Sequence, residues 1–305
     1  MNKRVTSNAA LFLAAIIWGF AFVAQVDGMK YIGPFTMIGV RFVISIVALL
    51  PVVLIFEKKK LDREELKHTI TASVIIGLLL FAAVTVQQFG IQITASAGVS
   101  GLISGLYTIF VPMSYFFFFR KKTGVQVWIG AAFAVIGLFM LCYHPEDGFS
   151  FGIGEFLLLI GSFMWTAHVM LIDHYVKSVR PLHLAWGQFF MCAVLGIIAM
   201  FMFESDGLTM SALVDAKWSL LYCGILSSGC AYTLQVVGQK DADPTYAAII
   251  LSTESAFGAI GGALFGIDHI SLVGYLGCAL MFAGILCSQW KFKFNRSKKK
   301  RNNET

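Results

Sequence analysis

The chain has 305 residues, of which 58% are hydrophobic and only 13% charged, with a mean hydropathy of +0.78. Soluble domains run at about 45 to 50% apolar and about 25% charged, so this composition excludes an ordinary soluble domain and points to a membrane protein. The formal charge of +6 sits in short basic runs beside apolar stretches, where contact with anionic lipid and retention of cytoplasmic loops explain it better than nucleic acid does.

Apolar runs between charge and turn signals predict ten transmembrane helices at about 8–26, 35–56, 69–89, 95–119, 124–142, 152–172, 182–203, 217–237, 244–266 and 270–290. The fold class expected is therefore an all-α polytopic membrane protein. Thr94 with its neighbours, Lys121 to Thr123 and Ile267 to His269 leave room only for tight helical hairpins. The N-terminus, MNKRVTSNAALFLAAIIWGF, has the basic start and apolar run of a signal peptide. The six cysteines (Cys142, Cys192, Cys223, Cys230, Cys278, Cys287) lie in or at the ends of apolar stretches, with no C-x-x-C pair and no histidine at metal spacing, and read as packing residues.

With a cytoplasmic N-terminus, all 23 lysines and arginines except Lys30, Lys217 and Arg41 fall on the cytoplasmic side, so both termini are expected there, in the plasma (inner) membrane.

The chain also repeats itself. Trp18, Lys30, Pro34 and Phe42 align with Trp165, Lys177, Pro181 and Phe189 at a single offset of 147. The same offset pairs Trp128 with Tyr275, Gly130 with Gly277 and Gly137 with Gly284, whereas Gln88 meets Gln235 at 147 but Gly90 meets Gly238 at 148. The organisation expected is a first five-helix repeat over 1–145, a second over 150–290 and a basic cytoplasmic tail over 291–305. An odd number of helices per copy makes the second copy enter the membrane from the opposite side. This is the inverted repeat of many secondary transporters, with the site near the midplane between the copies. The repeat makes the first helix the counterpart of an interior span, which argues for a retained helix and against a cleaved signal.

The W-G-x-x-F start at Trp18 to Phe22, the Arg41-Phe42 pair, the small-residue stretch GVSGLISGLYTIFVP (98–112) and LSTESAFGAIGGALFG (251–266) together resemble the drug/metabolite transporter superfamily, EamA type, over nearly the whole chain. The resemblance implies a ten-helix transporter and export as the direction. The family often carries an acidic turn after the fourth and ninth helices; here those turns read FFFFRKKTG and FGIDHIS, so only the second, with Asp268, keeps an acid.

The candidate site residues follow from what is costly to bury. A carboxylate at mid-membrane costs roughly 2.5 to 3.5 kcal/mol, and Glu254 lies ten residues from Pro244, roughly 15 Å deep, near the midplane. A proton-binding or amine-binding role and a structural ion pair both fit it. Its repeat counterpart, Leu106 or Tyr107, is not acidic. Arg41, seven residues into the second helix, reads as a gating or structural salt bridge, with Asp27 as the expected partner. Gln87, Gln88 and Gln235 are amides that need partners when buried, and the equivalence of Gln88 with Gln235 favours those two for the cavity. Trp165 and Tyr107 are candidate aromatic lining, with Trp18 as the weaker tryptophan. His168 stands one turn beyond Trp165; a lone membrane histidine is more often a packing residue than a proton relay. Gly101, Gly105, Gly258, Gly262 and Gly266 fit close helix packing.

The reading is a secondary transporter of a small organic metabolite (amino acid, amine, purine or drug-like), working by alternating access and coupled to protons through Glu254. It needs no cofactor and no metal, and takes a small solute and the lipid bilayer as partners; a homodimer is compatible but carries no signal. Two other classes stand beside it. Gly98-Val99-Ser100-Gly101 with His168 has the look of an intramembrane serine protease, but by helix rise Ser100 and His168 differ in depth by roughly 15 Å where catalysis needs about 3 Å. A non-transporting scaffold or sensor is the other. No nucleotide-binding glycine loop and no H-E-x-x-H motif occurs.

Overall fold

The computed structural model describes residues 3–289 apart from 59–60, 121–123, 142, 145–147, 150, 177, 242–249, 252 and 269. The tail at 291–305, the turn at 121–123, the Lys177 member of the repeat and the predicted helix start at Pro244 therefore lie outside the described residues.

The first half folds as α1 (Lys3–Gly28), α2 (Pro34–Phe56), α3 (Arg63–Thr94), α4 (Ala97–Gly105), α5 (Tyr107–Phe119) and α6 (Val125–Leu141). A two-residue hairpin, β1 (Tyr143–His144) with β2 (Gly148–Phe149), leads into the second half. There α7 (Ile153–Tyr175) and α8 (Pro181–Phe203) precede a short α9 (Met210–Asp215). One long helical run follows, made of α10 (Lys217–Leu221), a π-helical stretch at Tyr222–Ala231 and α11 (Tyr232–Asp241). The chain ends in α12 (Glu254–Leu264) and α13 (Leu272–Gln289).

Among the described residues, six helices are long and apolar enough to cross a membrane: Thr6–Gly28, Pro34–Phe56, Arg63–Thr94, Ala97–Phe119, Ile153–Ile172 and Pro181–Phe203. Val125–Met140 and Leu272–Ser288 are shorter apolar helices. Large apolar side chains such as Phe118, Val135 and Leu272 stand at 79%, 68% and 79% exposure, a surface that only hydrocarbon would satisfy.

Local chemistry sets the helix ends. Pro34 and Pro181 occupy the first turns of α2 and α8, where the missing N–H would be unpaired in any case. A reciprocal cap between Asp62 and Glu65 starts α3 at Arg63, earlier than the apolar run alone predicts. The fourth predicted helix, 95–119, is interrupted at Leu106 between α4 and α5, and the eighth, 217–237, changes to π geometry at its centre.

The two halves touch through equivalent residues. Phe42 and Phe189, paired by the offset of 147, meet ring to ring at 5.4 Å. On α6 and α13 the contacts run crosswise: Gly137 faces the carbonyl of Gly277, and Gly284 faces that of Gly130. Since 130 pairs with 277 and 137 with 284 in sequence, this is the contact pattern of elements related by a two-fold axis.

The ends of α2 and α8 obey the same rule. The Glu204 carboxylate accepts from the Phe35 N–H at 2.9 Å, and from the Thr36 N–H and hydroxyl at 2.7 Å each, closing the N-terminus of α2. Its equivalent, Glu57, sits at the N-terminus of α8, with Arg180 at 3.8 Å and His183 at 3.7 Å. A carboxylate at a helix N-terminus satisfies orphan N–H groups and meets the positive end of the dipole. Glu204→Ala should therefore lower thermal stability in detergent by about 1 to 2 kcal/mol. Glu57→Ala should cost less, because its contacts are longer; equal effects would contradict this assignment.

Candidate functional site

A cavity of about 190 Å³ lies where the two halves meet. Trp18, Phe22 and Gln25 enter it from α1, Arg41 and Phe42 from α2, Gln87 from α3, Ser104 from α4 and Tyr107 from α5. The second half supplies Trp165 and His168 from α7, Phe189 from α8, Ser227 and Ser228 from the π stretch, Tyr232 and Gln235 from α11, and Glu254. The lining thus comes from the first four and the sixth to ninth predicted helices.

Three polar clusters face this space. In the first, the Arg41 guanidinium donates from Nη1 to Gln25 Oε1 at 2.9 Å, and Gln25 Nε2 donates to the Ala21 carbonyl at 3.1 Å. The Phe42 ring lies 4.9 Å from the guanidinium carbon. The expected pairing of Arg41 with Asp27 does not occur. Asp27 bonds Lys30 at 3.0 Å and accepts from the Ser219 hydroxyl at 3.4 Å, at the exposed end of α1. Arg41 is 7% exposed and points inward at Gln25; Asp27, two residues on, faces the other side of α1, so Arg41 meets an amide and not a carboxylate.

The second cluster is a relay of neutral groups. His168 Nε2 shares a hydrogen bond of 2.9 Å with Gln188 Oε1, and Gln188 Nε2 donates to the Tyr232 hydroxyl at 3.0 Å. Gln188 is the repeat equivalent of Arg41, so the same position carries an amide in one half and a cation in the other. Trp165 packs edge-on against His168 at 5.3 Å.

Glu254 centres the third. It is 7% exposed, and its carboxylate shares a hydrogen bond with Tyr107, one of the two positions the repeat offsets set opposite it. The expected helix around Glu254 is interrupted by a turn at Thr253, with helical residues at 250–251 before it and α12 starting at Glu254 after it. Gln87 donates to Ser104 Oγ at 2.9 Å close by. Trp18 Nε1 donates to the Ser227 carbonyl at 2.9 Å, fixing α1 to the π stretch, so Trp18 lines the cavity as Trp165 does.

Gln88 does not reach the cavity. It is 1% exposed, with neither amide atom hydrogen-bonded among the described residues, and Gln87 takes the lining position. The sequence signal that could have found Gln87 is the change of offset. A π turn holds more residues per turn than an α turn, so the π stretch at 222–231 absorbs one extra residue. Within α11, just beyond it, the equivalence runs at 148, pairing Gln87 with Gln235 as it pairs Gly90 with Gly238.

Ser100 and His168 are not brought together. Ser100 is fully buried and shares a hydrogen bond of 3.1 Å with the Thr94 hydroxyl, while His168 bonds Gln188. Asp268 accepts from the Ala97 and Gly98 N–H groups at 2.8 Å each, so the acid of the 267–269 turn caps α4. Among the described residues no group of three His, Cys, Asp or Glu could hold a metal ion. Among the described lining residues the arrangement offers one cation, one carboxylate, several neutral hydrogen-bonding groups and aromatic rings.

A family model described as the EamA-like transporter family matches residues 6–143 and again 152–289. An "Uncharacterized transporter" of Archaeoglobus fulgidus is 25% identical over 286 residues, 93% of this chain and 86% of that protein. The "Uncharacterized transporter YoaV" of Bacillus subtilis is 26% identical over 290 residues, covering 93% and 96% of the two chains. The "Uncharacterized inner membrane transporter YedA" of Escherichia coli is 24% identical over 294 residues, covering 93% and 91%. A solved structure, titled "Crystal structure of protein", superposes with a TM-score of 0.67 at 16% identity, covering 92% of this chain and 97% of that one, and so shares the fold.

Proposed function

The chain belongs to the EamA-like transporter family, and from that premise we propose that it is a secondary transporter exporting a small organic metabolite across the plasma membrane by alternating access. In this reading ten helices span the bilayer as two inverted five-helix repeats, with both termini cytoplasmic. The repeats rock about the central cavity, and protonation of Glu254 biases one of the two states.

The observation that carries the reading is the cavity itself. It is lined in nearly equal part by both halves, and it holds a buried carboxylate of the second half bonded to Tyr107 of the first. A change in the packing of one half on the other would alter the surroundings of that carboxylate, which is what coupling requires. Export rests on the family resemblance.

The test compares solute levels inside and outside cells that carry the protein and cells that lack it. The expected result is lower internal and higher external concentration of one chemical class of metabolite. Accumulation inside would reverse the direction. No difference in any solute, repeated with purified protein in liposomes, would sink the transporter reading in favour of a scaffold or sensor.

A further inference from the structure

The geometry points to Arg41 as the docking site for an anionic group of the transported solute, so that the cavity selects a small organic anion, a carboxylate on an apolar or aromatic body. This deepens the transporter reading and rests on it.

Three observations converge. Arg41 is 7% exposed and is the one cationic side chain among the described lining residues, yet no carboxylate lies within 4.0 Å of it there. Its neighbours are neutral: the Gln25 amide at 2.9 Å, the thiols of Cys223 and Cys192, and the Phe42 ring. A guanidinium has five N–H donors, and here Nε is buried without an acceptor among the described residues. Desolvating a cation without a counter-charge is costly, and such groups in membrane segments normally pair or face a solute path.

The second observation is Trp165. Its indole N–H, also at the cavity wall, is likewise buried without an acceptor. Two unanswered donors on one cavity complement a ligand rich in acceptors, and a carboxylate offers two oxygens with about four lone-pair directions.

The third is the pairing of the one acid. Glu254 is engaged by Tyr107, and the wall carries the aromatic rings of Trp18, Phe42, Trp165 and Phe189. The cation is thus left for the solute, and the walls suit an apolar body. The repeat sharpens this: Gln188, in the position equivalent to Arg41, is bonded at both amide atoms, by His168 and Tyr232, whereas the Arg41 guanidinium meets only the Gln25 amide and the weakly accepting Cys223 thiol and keeps Nε unanswered among the described residues. The charge difference between the halves fixes which end of the cavity receives the anionic group.

The experiment uses the full-length protein in lipid nanodiscs and titrates three probes of matched size by calorimetry: phenylacetate, its neutral amide phenylacetamide, and the cation phenethylamine. Phenylacetate should bind at least about ten-fold tighter than either of the others, the factor expected of charge-assisted hydrogen bonds. Arg41→Gln should remove that preference while leaving phenylacetamide unchanged, and Arg41→Lys should retain part of it, since an ammonium keeps the charge but loses the planar fork. Equal binding of the three probes by the wild-type protein, tighter binding of the cation, or no binding of phenylacetate would each overturn the assignment without needing a variant. Full retention of the preference in Arg41→Gln would do the same. Transport of cationic or neutral solutes by such a protein would leave the transporter reading standing and remove only Arg41 as the anion site.

Discussion

Glu254→Gln protein reconstituted into liposomes should move solute with no response to an imposed pH gradient, with gradient-driven flux falling on the order of ten-fold, within the range typical of coupling free energies. The substitution keeps the size of the side chain and its ability to bond Tyr107, and removes only the exchangeable proton. Glu254 is the one acid among the described lining residues, it is 7% exposed, and no cation lies within ion-pair distance among those residues. A purely structural acid would give a different result: Gln would change the thermal midpoint and leave the pH response of flux intact. That outcome, with transport preserved, would end the coupling role. Tyr107→Phe is the companion variant, expected to shift the pH response and keep the coupling, since the hydroxyl holds the carboxylate and does not carry the transported proton.

Replacing a glycine on the helix seams should have the largest effect on stability. A Cβ at Gly284 would lie 2.6 Å from the Gly130 carbonyl oxygen, and one at Gly137 would lie 2.6 Å from that of Gly277. At Gly196 it would lie 2.7 Å from the Cα of Gly39. In each case the obstacle is backbone, which cannot rotate away, so the helices must separate. Overpacking costs about 1 to 3 kcal/mol where side chains can adjust, and Gly284→Leu or Gly196→Leu should reach the top of that range or exceed it. The expected readout is a sharp fall in the yield of monodisperse protein and in its thermal midpoint. Gly207→Ala, at a position with nothing within 4 Å, is the matched control and should be silent. A stable Gly284→Leu protein would show that α6 and α13 do not pack through this seam.

The apolar runs, the basic runs and the offset of 147 suffice to read a membrane protein built of two copies, and the family model matches the chain twice. These features are legible because they are periodic or compositional, and a bilayer imposes them on each segment separately. The pairing of side chains is not. Arg41 takes Gln25 and not Asp27 because the rotation of α1 about its axis, set by its packing on α12 and the π stretch, turns one residue inward and the other to the end of the helix. Gln87 replaces Gln88 because one extra residue is taken up in π geometry, which rotates every later side chain of that helix relative to its counterpart in the first half. Glu204 becomes the cap of α2, and Glu57 an ion-pair partner at the start of α8, only once α2 and α8 lie antiparallel.

By itself, then, the sequence determined that the chain enters a membrane, that it is duplicated, and that Glu254 and Arg41 are expensive to bury, because each of these depends on local residue chemistry. Only the tertiary structure decided that the two charges line the same cavity, that Glu254 meets Tyr107 of the other half, and that Arg41 has no acid beside it among the described residues. The physical reason is that a charge in hydrocarbon requires some partner, and which partner it finds is set by the relative rotation of helices distant in the chain.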